Sequence, residues 1–289
     1  MTPGYPFVAD VSGGLVRQLM FYPVKGCAGV SASAADLTAA GLRHDRTFVV
    51  TDPAGAVRTQ RRDPRLATIH PSLSQCGTEL TLGAPGADPI RVSVDLVSTR
   101  RTVTMFGSGH PGIDQGSEAA GWLSRVLGAP SRLVRVPPEH HRVTDGEIAG
   151  TSAYADSCAI HLLSLSSVDS LNERLVARGA EPLPVDRFRA NILVEGWPEA
   201  HTEDHTRRIV IGDGELGYAK LAIRCVVTMV DQHAGRRSGP EPIRTLAAYR
   251  RRPGGVAFGV KFAVLRPGRV AVGMPVGVAR WDSGRSGMP

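Results

Sequence analysis

Apolar residues in this chain recur mostly in short runs. Leu15–Tyr22 alternates enough for a first strand, and Thr47–Thr51 reads as a strong one, ended by Asp52-Pro53-Ala54-Gly55. Leu66–Ile69, Glu79–Leu82, Ile90–Val94 and Thr102–Phe106 follow as further short strands, some separated by turn signals at Gly83 and Pro85-Gly86. Strands at this spacing predict a β-rich barrel or sandwich-like unit. Helical periodicity replaces the alternation over Ser117–Leu127, where Ala120, Leu123 and Leu127 share a face, Ser117 is the expected N-cap and Gly128 the stop.

Residues 137–156 combine prolines, His140-His141 and small residues, and read as a boundary region whose loop covers a site. Beyond it, Ile160–Leu165 is an apolar run. Ser164/Ser166 then cap a helix through Val168, Leu171 and Leu175 that stops at Gly179. Ile192-Leu193-Val194 is a buried-looking strand. Gly212-Asp213-Gly214-Glu215 marks a hairpin between Ile209–Ile211 and Leu216–Ile223. The β-branched stretch Leu221–Asp231, free of Gly and Pro, is expected to be one strand. A short helix over Pro242–Arg250 and closing strands at Ala257–Leu265 and Arg269–Val272 complete the chain. Loose ends are expected over 1–12 and from Asp282 to Pro289.

With 289 residues, 42% hydrophobic and 21% charged, the composition is that of a soluble globular chain of one large domain or two ordinary ones. No run of 18 apolar residues is present, so no transmembrane helix is expected. Met1–Pro6 lacks the basic and apolar regions of a signal peptide, which leads to the expectation of a cytoplasmic protein with no membrane association. The net charge of +7 raises nucleic-acid binding. Yet only Lys25, Lys220 and Lys261 are lysines, and the Arg excess suits a phosphorylated small ligand equally well. No basic helix or aromatic-interleaved patch supports a nucleic-acid partner. Cys27, Cys76, Cys158 and Cys225 lie far apart with no CxxC pair, which argues against zinc ribbons and iron–sulfur spacing and does not suggest a disulfide framework.

Cys225 beside Arg224 has two readings: a small core hydrophobe, or a thiolate ligand or nucleophile in a basic pocket. Lys25, just after the first strand and next to Gly26, could meet an anion that backbone approaches closely. Arg46 stands at the entrance to a strand. Arg189 and Asn191 precede another, and Asp156-Ser157-Cys158 a third; each could face a ligand or merely flank its strand. Arg58, Arg61, Arg62 and Arg65 read as a solvated basic face. His201 and His205, four apart without an HExxH pattern, read as a polar surface loop.

Taken in order, Tyr22-Pro23-Val24-Lys25-Gly26-Cys27, Gly41-Leu42 to Asp45-Arg46-Thr47-Phe48, Tyr154-Ala155-Asp156-Ser157, Phe188–Ile192, Arg224–Asp231, Pro242-Ile243 to Tyr249-Arg250 and Phe258-Gly259 carry a resemblance. The chain resembles MOSC proteins that bear the MOSC N-terminal β-barrel domain, similar to the mitochondrial amidoxime-reducing component and its bacterial relatives. That implies an α+β, β-rich fold of two β-barrel-like units with a few short helices: an N-terminal domain over 13–136, a MOSC domain over 137–282 and a disordered tail over 283–289. The resemblance further implies a molybdenum cofactor with Cys225 as the metal-ligating and catalytic cysteine. Lys25, Gly26, Arg46, Asp156, Ser157, Cys158, Arg189, Asn191, Arg224 and Cys225 would bind the cofactor, with Asp231 a substrate-facing catalytic candidate. Gly26 and Cys158 depart from a serine common at both positions in relatives. No pyridoxal phosphate site or iron–sulfur cluster is expected. The implied activity is reduction of small N-hydroxylated compounds, with electrons from a separate ferredoxin, flavodoxin or cytochrome b5-like protein plus reductase. Arg61, Arg62 and Arg250–Arg252 are expected to dock that carrier. The alternative is a molybdenum cofactor-binding or sulfur-carrying protein without reductase turnover.

Overall fold

A computed structural model describes residues 10–283. Most of the expected loose ends, 1–9 and 284–289, lie outside the described residues. The expected looseness over 10–12 is corrected, because the first strand starts at Asp10.

The chain is β-rich, and its centre is a closed barrel of seven strands. Ile160–Ser164, Ile192–Glu195, Asp10–Phe21, Pro275–Trp281, Thr206–Ile211, Gly214–Arg224 and Gly255–Arg266 pair in that order, and the last returns to the first through Ile160 opposite Phe262. The opening strand of the chain thus sits between two strands of its second half, with Leu19 opposite Ile192 and Leu15 opposite Pro275. Leu19, Ile160, Leu162, Ile192, Ile209, Val260 and Phe262 fill the interior. Each such side chain, fully buried, contributes roughly 1.5–3 kcal/mol.

The first half adds a five-stranded sheet in the order Arg100–Met105, Ser108–Asp114, Arg132–Arg135, Phe48–Thr51, Val24–Lys25. A three-stranded meander over His70–Leu73, Glu79–Ala84 and Ala87–Ser93 lies beside it. Their shared core holds Phe48, Val50, Leu66, Leu80, Trp122 and Leu133. The three expected helices form, over Ser117–Leu127, Leu165–Val176 and Ile243–Ala247. Ser164 caps the second by accepting from the Ser167 N–H, while Gly116, not Ser117, precedes the first. Among the described residues no helix is long and apolar enough to cross a membrane.

Two expected strands take another form. Leu66–Ile69 belongs mostly to a 3-10 turn over Pro64–Thr68, because Pro64 presets the first turn and the Leu66 N–H reaches back to Asp63 O at 3.1 Å. Leu221–Asp231 is not one strand. The ladder ends at Arg224, and Val226–Met229 coils into a 3-10 turn whose Thr228 N–H and hydroxyl both donate to Cys225 O, at 3.1 and 2.9 Å. A Thr side chain that folds back on the backbone competes with the ladder.

Candidate functional site

The strand end at Arg224 brings Cys225 to a cleft between the barrel and the first half of the chain. Lys25, Gly26, Arg46, Asp156, Ser157, Cys158, Arg189, Asn191, Arg224 and Cys225 all line it. They come from five separate stretches of sequence. Asp231 is not among them. Its carboxylate accepts from the backbone N–H of His233 and Ala234, at 3.0 and 2.9 Å, and faces Arg187 at 3.4 Å, so it fixes the turn after the cleft.

Val24–Lys25 is a two-residue strand parallel to Phe48–Thr51, and this seats the Lys25 side chain in the interior. Its ammonium donates to Tyr154 O at 2.8 Å and pairs with Asp156. Burial pulls the Lys25 pKa down, and Asp156 opposes that. The next residue, Gly26, has φ +84°, and a Cβ there would meet Leu66 Cδ1 at 3.2 Å, so glycine suits both the backbone and the space. Cys27 is buried beyond it, its thiol pushed up to about 12 by desolvation, which makes it inert.

Arg46 and Arg189 both adopt left-handed backbone, with φ +52° and +53°. Their guanidinium groups lie against the Tyr22 ring, 4.5 and 4.2 Å from its centroid. Arg46 also pairs with Asp45, and Arg189 donates to Cys27 O at 2.7 Å and to Gln232 at 3.1 Å. The Asn191 amide is taken up largely within the protein: its oxygen accepts from His161 N–H at 3.1 Å and its nitrogen donates to Met20 O at 3.1 Å. Arg224 donates to Phe188 O at 2.8 Å, while its buried Nε has no partner, and burial draws its pKa down to about 10. The Asp156-Ser157-Cys158 loop is strapped by Arg142, which donates to Ala153 O at 3.0 Å and to the Ser152 hydroxyl at 2.6 Å. The Cys158 thiol is buried and 3.5 Å from Asp145 O.

Three lining residues escaped the sequence reading. Arg61, read as surface, projects its Nη2 to 3.6 Å from Cys225 Sγ. Gln60 donates to Gly26 O at 2.7 Å and exchanges two 3.0 Å bonds with Gln232, a buried amide pair that ties the two halves of the chain at the cleft. Lys261 is half-buried on the strand Gly255–Arg266, without an ion-pair partner among the described residues, and desolvation with Arg224 and Arg46 lowers it to about 7. Composition offered a signal for it. In a chain that uses Arg almost everywhere, two of the three lysines line this cleft. The lining therefore carries the cations Lys25, Arg46, Arg61, Arg189, Arg224 and Lys261 against one carboxylate, Asp156. Such a charge balance calls for an anionic ligand. The expected docking residue Arg250 is corrected: it is buried, donating to Ala257 O and paired with Asp204.

The chain matches the MOSC N-terminal beta barrel domain over residues 13–130 and the MOSC domain over residues 149–277. It is 34% identical to mitochondrial amidoxime-reducing component 1 of Homo sapiens over 284 residues, which cover 91% of this chain and 82% of that protein. It is 27% identical to a molybdenum cofactor sulfurase of Oryza sativa subsp. japonica, across 85% of this chain but 32% of that protein. A solved structure, the YUAD protein of Bacillus subtilis, is similar over 91% of this chain and 93% of its own at 13% identity and a TM-score of 0.41. On the two domain matches, in order along one polypeptide, and on the similarity to the amidoxime-reducing components over most of both chains, the chain belongs to the MOSC family.

Proposed function

We propose that the protein is a molybdenum cofactor-dependent reductase of N-hydroxylated compounds that receives electrons from a separate carrier protein. The observation that carries this reading is the half-exposed Cys225 thiol at a cleft lined by six cations and a single carboxylate, the other lining thiol, Cys158, being buried. Those residues fit a phosphate-bearing pterin with a soft metal. The unpartnered Arg224 Nε and Lys261, without an ion pair among the described residues, are the donors an anion would satisfy, and a thiolate is a suitable soft ligand. Relatives bearing the names amidoxime-reducing component and molybdenum cofactor sulfurase support the same assignment.

In this reading Cys225 Sγ would hold the metal, and Arg61 places positive charge beside that sulfur. Lys25, Arg46, Arg189, Arg224 and Lys261 would hold the pterin and its phosphate, and Gly26 would offer its backbone at the cleft wall. The bound cofactor would supply two-electron reduction of the N–O bond, with water as the other product. The protein orients the cofactor and the substrate. Asp156, held by Lys25 and 3.8 Å from Arg61, bridges the two cations and screens their repulsion at the cleft wall. Asp231 is assigned the turn behind the cleft and not the chemistry.

Metal and pterin content of wild type and Cys225→Ser, with reduction of an amidoxime by the loaded protein, tests the reading. Wild type should carry about one molybdenum per chain and reduce the amidoxime. The serine variant should lose metal and activity while melting at the wild-type temperature. Full activity without the thiol would overturn it. Loaded wild type that turns over no N-hydroxylated compound would leave the cofactor-carrier alternative.

A further inference from the structure

The hairpin Arg100–Met105/Ser108–Asp114 closes on the two-residue turn Phe106-Gly107, flanked by the pair Met105 and Ser108. Both turn residues have positive φ, +53° and +80°. A turn of this shape prefers Asn-Gly, and a bulky aromatic in its first position is strained. The ring is also 57% exposed, so it does not offset the strain by joining a core. Local strain retained against both backbone and burial preference points to use.

The hairpin is held firmly. Thr104 N–H donates to Gly55 O at 2.8 Å, Val57 N–H to Thr104 O at 3.1 Å, and Tyr154 hydroxyl to Pro111 O at 3.1 Å. Met105 is buried with Val49 and Tyr154 just before the tip. The tip therefore presents its ring from a fixed base, beside two cations of the cleft although not itself in its lining. The Phe106 centroid lies 5.6 Å from Lys25 Nζ and 5.8 Å from Arg61 Cζ. Arg61 reaches Cys225 Sγ with the same guanidinium. One arginine head thus spans the interval between the thiol and the ring.

We infer that Phe106 is a specificity-determining residue that stacks on the flat body of a substrate whose N–O group points toward Cys225. It favours N-hydroxylated compounds conjugated to an aromatic or heteroaromatic ring over small aliphatic ones. The inference rests on the reductase reading for the identity of the reacting group. Its physical basis is independent: an aromatic side chain, more than half exposed, that meets a planar ligand in offset or edge contact.

Binding without turnover separates the two. Benzamidoxime and acetamidoxime are titrated by calorimetry into the oxidised, cofactor-loaded protein without reductant. The proteins compared are wild type, Phe106→Asn and Phe106→Leu. Asparagine is the residue the turn prefers, so that variant should melt no lower than wild type; leucine keeps apolar bulk without the π face. Benzamidoxime binding should weaken by about tenfold in Phe106→Asn and by less in Phe106→Leu, while acetamidoxime binding stays the same. Equal weakening of both ligands, no change in either, or no benzamidoxime binding by wild type would each overturn the inference. Binding that depends on Phe106 without reduction on addition of electrons would sink the reductase reading and leave the recognition site standing. Reduction that is indifferent to Phe106 would do the reverse.

Discussion

Lys261 shows how much a single side chain can carry in a basic cleft. Its pKa, drawn down to about 7 by desolvation with Arg224 and Arg46, lies far below that of an unfolded lysine. Between about pH 7 and 10 the unfolded chain therefore holds the extra proton, and stability of the ligand-free protein rises with pH through that window. Anion binding runs the other way, since Lys261 gains its charge as pH falls through about 7. Sulfate keeps a constant charge over this range, so its affinity for the cofactor-free cleft should rise between pH 8.5 and 6. Lys261→Met should flatten that dependence; a wild-type slope in the variant would assign the effect elsewhere. Nothing in the local sequence marks Lys261, because it stands within an apolar strand whose inward and outward positions depend on the barrel. Lys25, Arg46, Arg189 and Arg224 were legible only because ordered motifs of a known family picked them from among 34 basic residues. Asp231 came with those motifs, yet two backbone N–H groups and Arg187 bind its carboxylate away from the cleft.

At the scale of elements, the turn Val226–Met229 positions the thiol. Its sequence, Val-Val-Thr-Met, has strand propensity, and the reading of one strand through Asp231 followed from that. What the propensity missed is the fully buried Thr228, whose hydroxyl and N–H both close on Cys225 O. Thr228→Val keeps shape and β-branching but removes the hydroxyl bond. It should cost about 1 kcal/mol, lower Tm by about 2–4 °C and lower molybdenum retention. Unchanged Tm and metal content would mean the turn holds without it. The helices were legible because their period, their stops and, for Leu165–Val176, the Ser164 cap agree. The hairpin over Gly212-Asp213 was legible for the same reason, a turn dipeptide set between apolar runs. Pro64–Thr68 was not, since a short apolar run does not reveal that a proline has started a turn before it.

Across the whole molecule, the net charge of +7 becomes specific once its distribution is known. Six of the basic residues converge on the cleft, and Arg250 is spent on Asp204. Arg62, Arg236, Arg237, Arg251 and Arg252 are among the exposed arginines. Arg237 donates to Arg61 O at 2.9 Å, and Arg251 and Val256 pair on the edge beside Arg224. A carrier with an acidic face would dock here by complementary charge, faster at low salt. Reversing Arg236, Arg237, Arg251 and Arg252 to Glu should cut carrier-dependent turnover several-fold at low ionic strength and leave turnover with a small chemical reductant unchanged. Equal turnover with the carrier at low and high salt would remove this face from the interaction. Arg62, Arg251 and Arg252 were legible as basic clusters, but that Arg237 reaches Arg61 and Arg251 lies beside the Arg224 edge was not, because those contacts join segments far apart in sequence.

The place of Asp10–Phe21 in that barrel has a consequence for how the protein comes into being. The strand pairs over Leu19–Phe21 with the nearby Val30–Ala32, but its barrel neighbours, Ile192–Glu195 and Pro275–Trp281, lie far along the chain. During synthesis its backbone donors and acceptors remain without those partners until the last strand has left the ribosome. The barrel is thus a late, high-contact-order event, slow by nature, and the nascent chain carries a strand edge that other chains could capture. Arg224 and Cys225, at the end of a barrel strand, take their final places opposite Arg46 and Arg61 only after that closure. Loading is therefore expected after translation, on a finished chain.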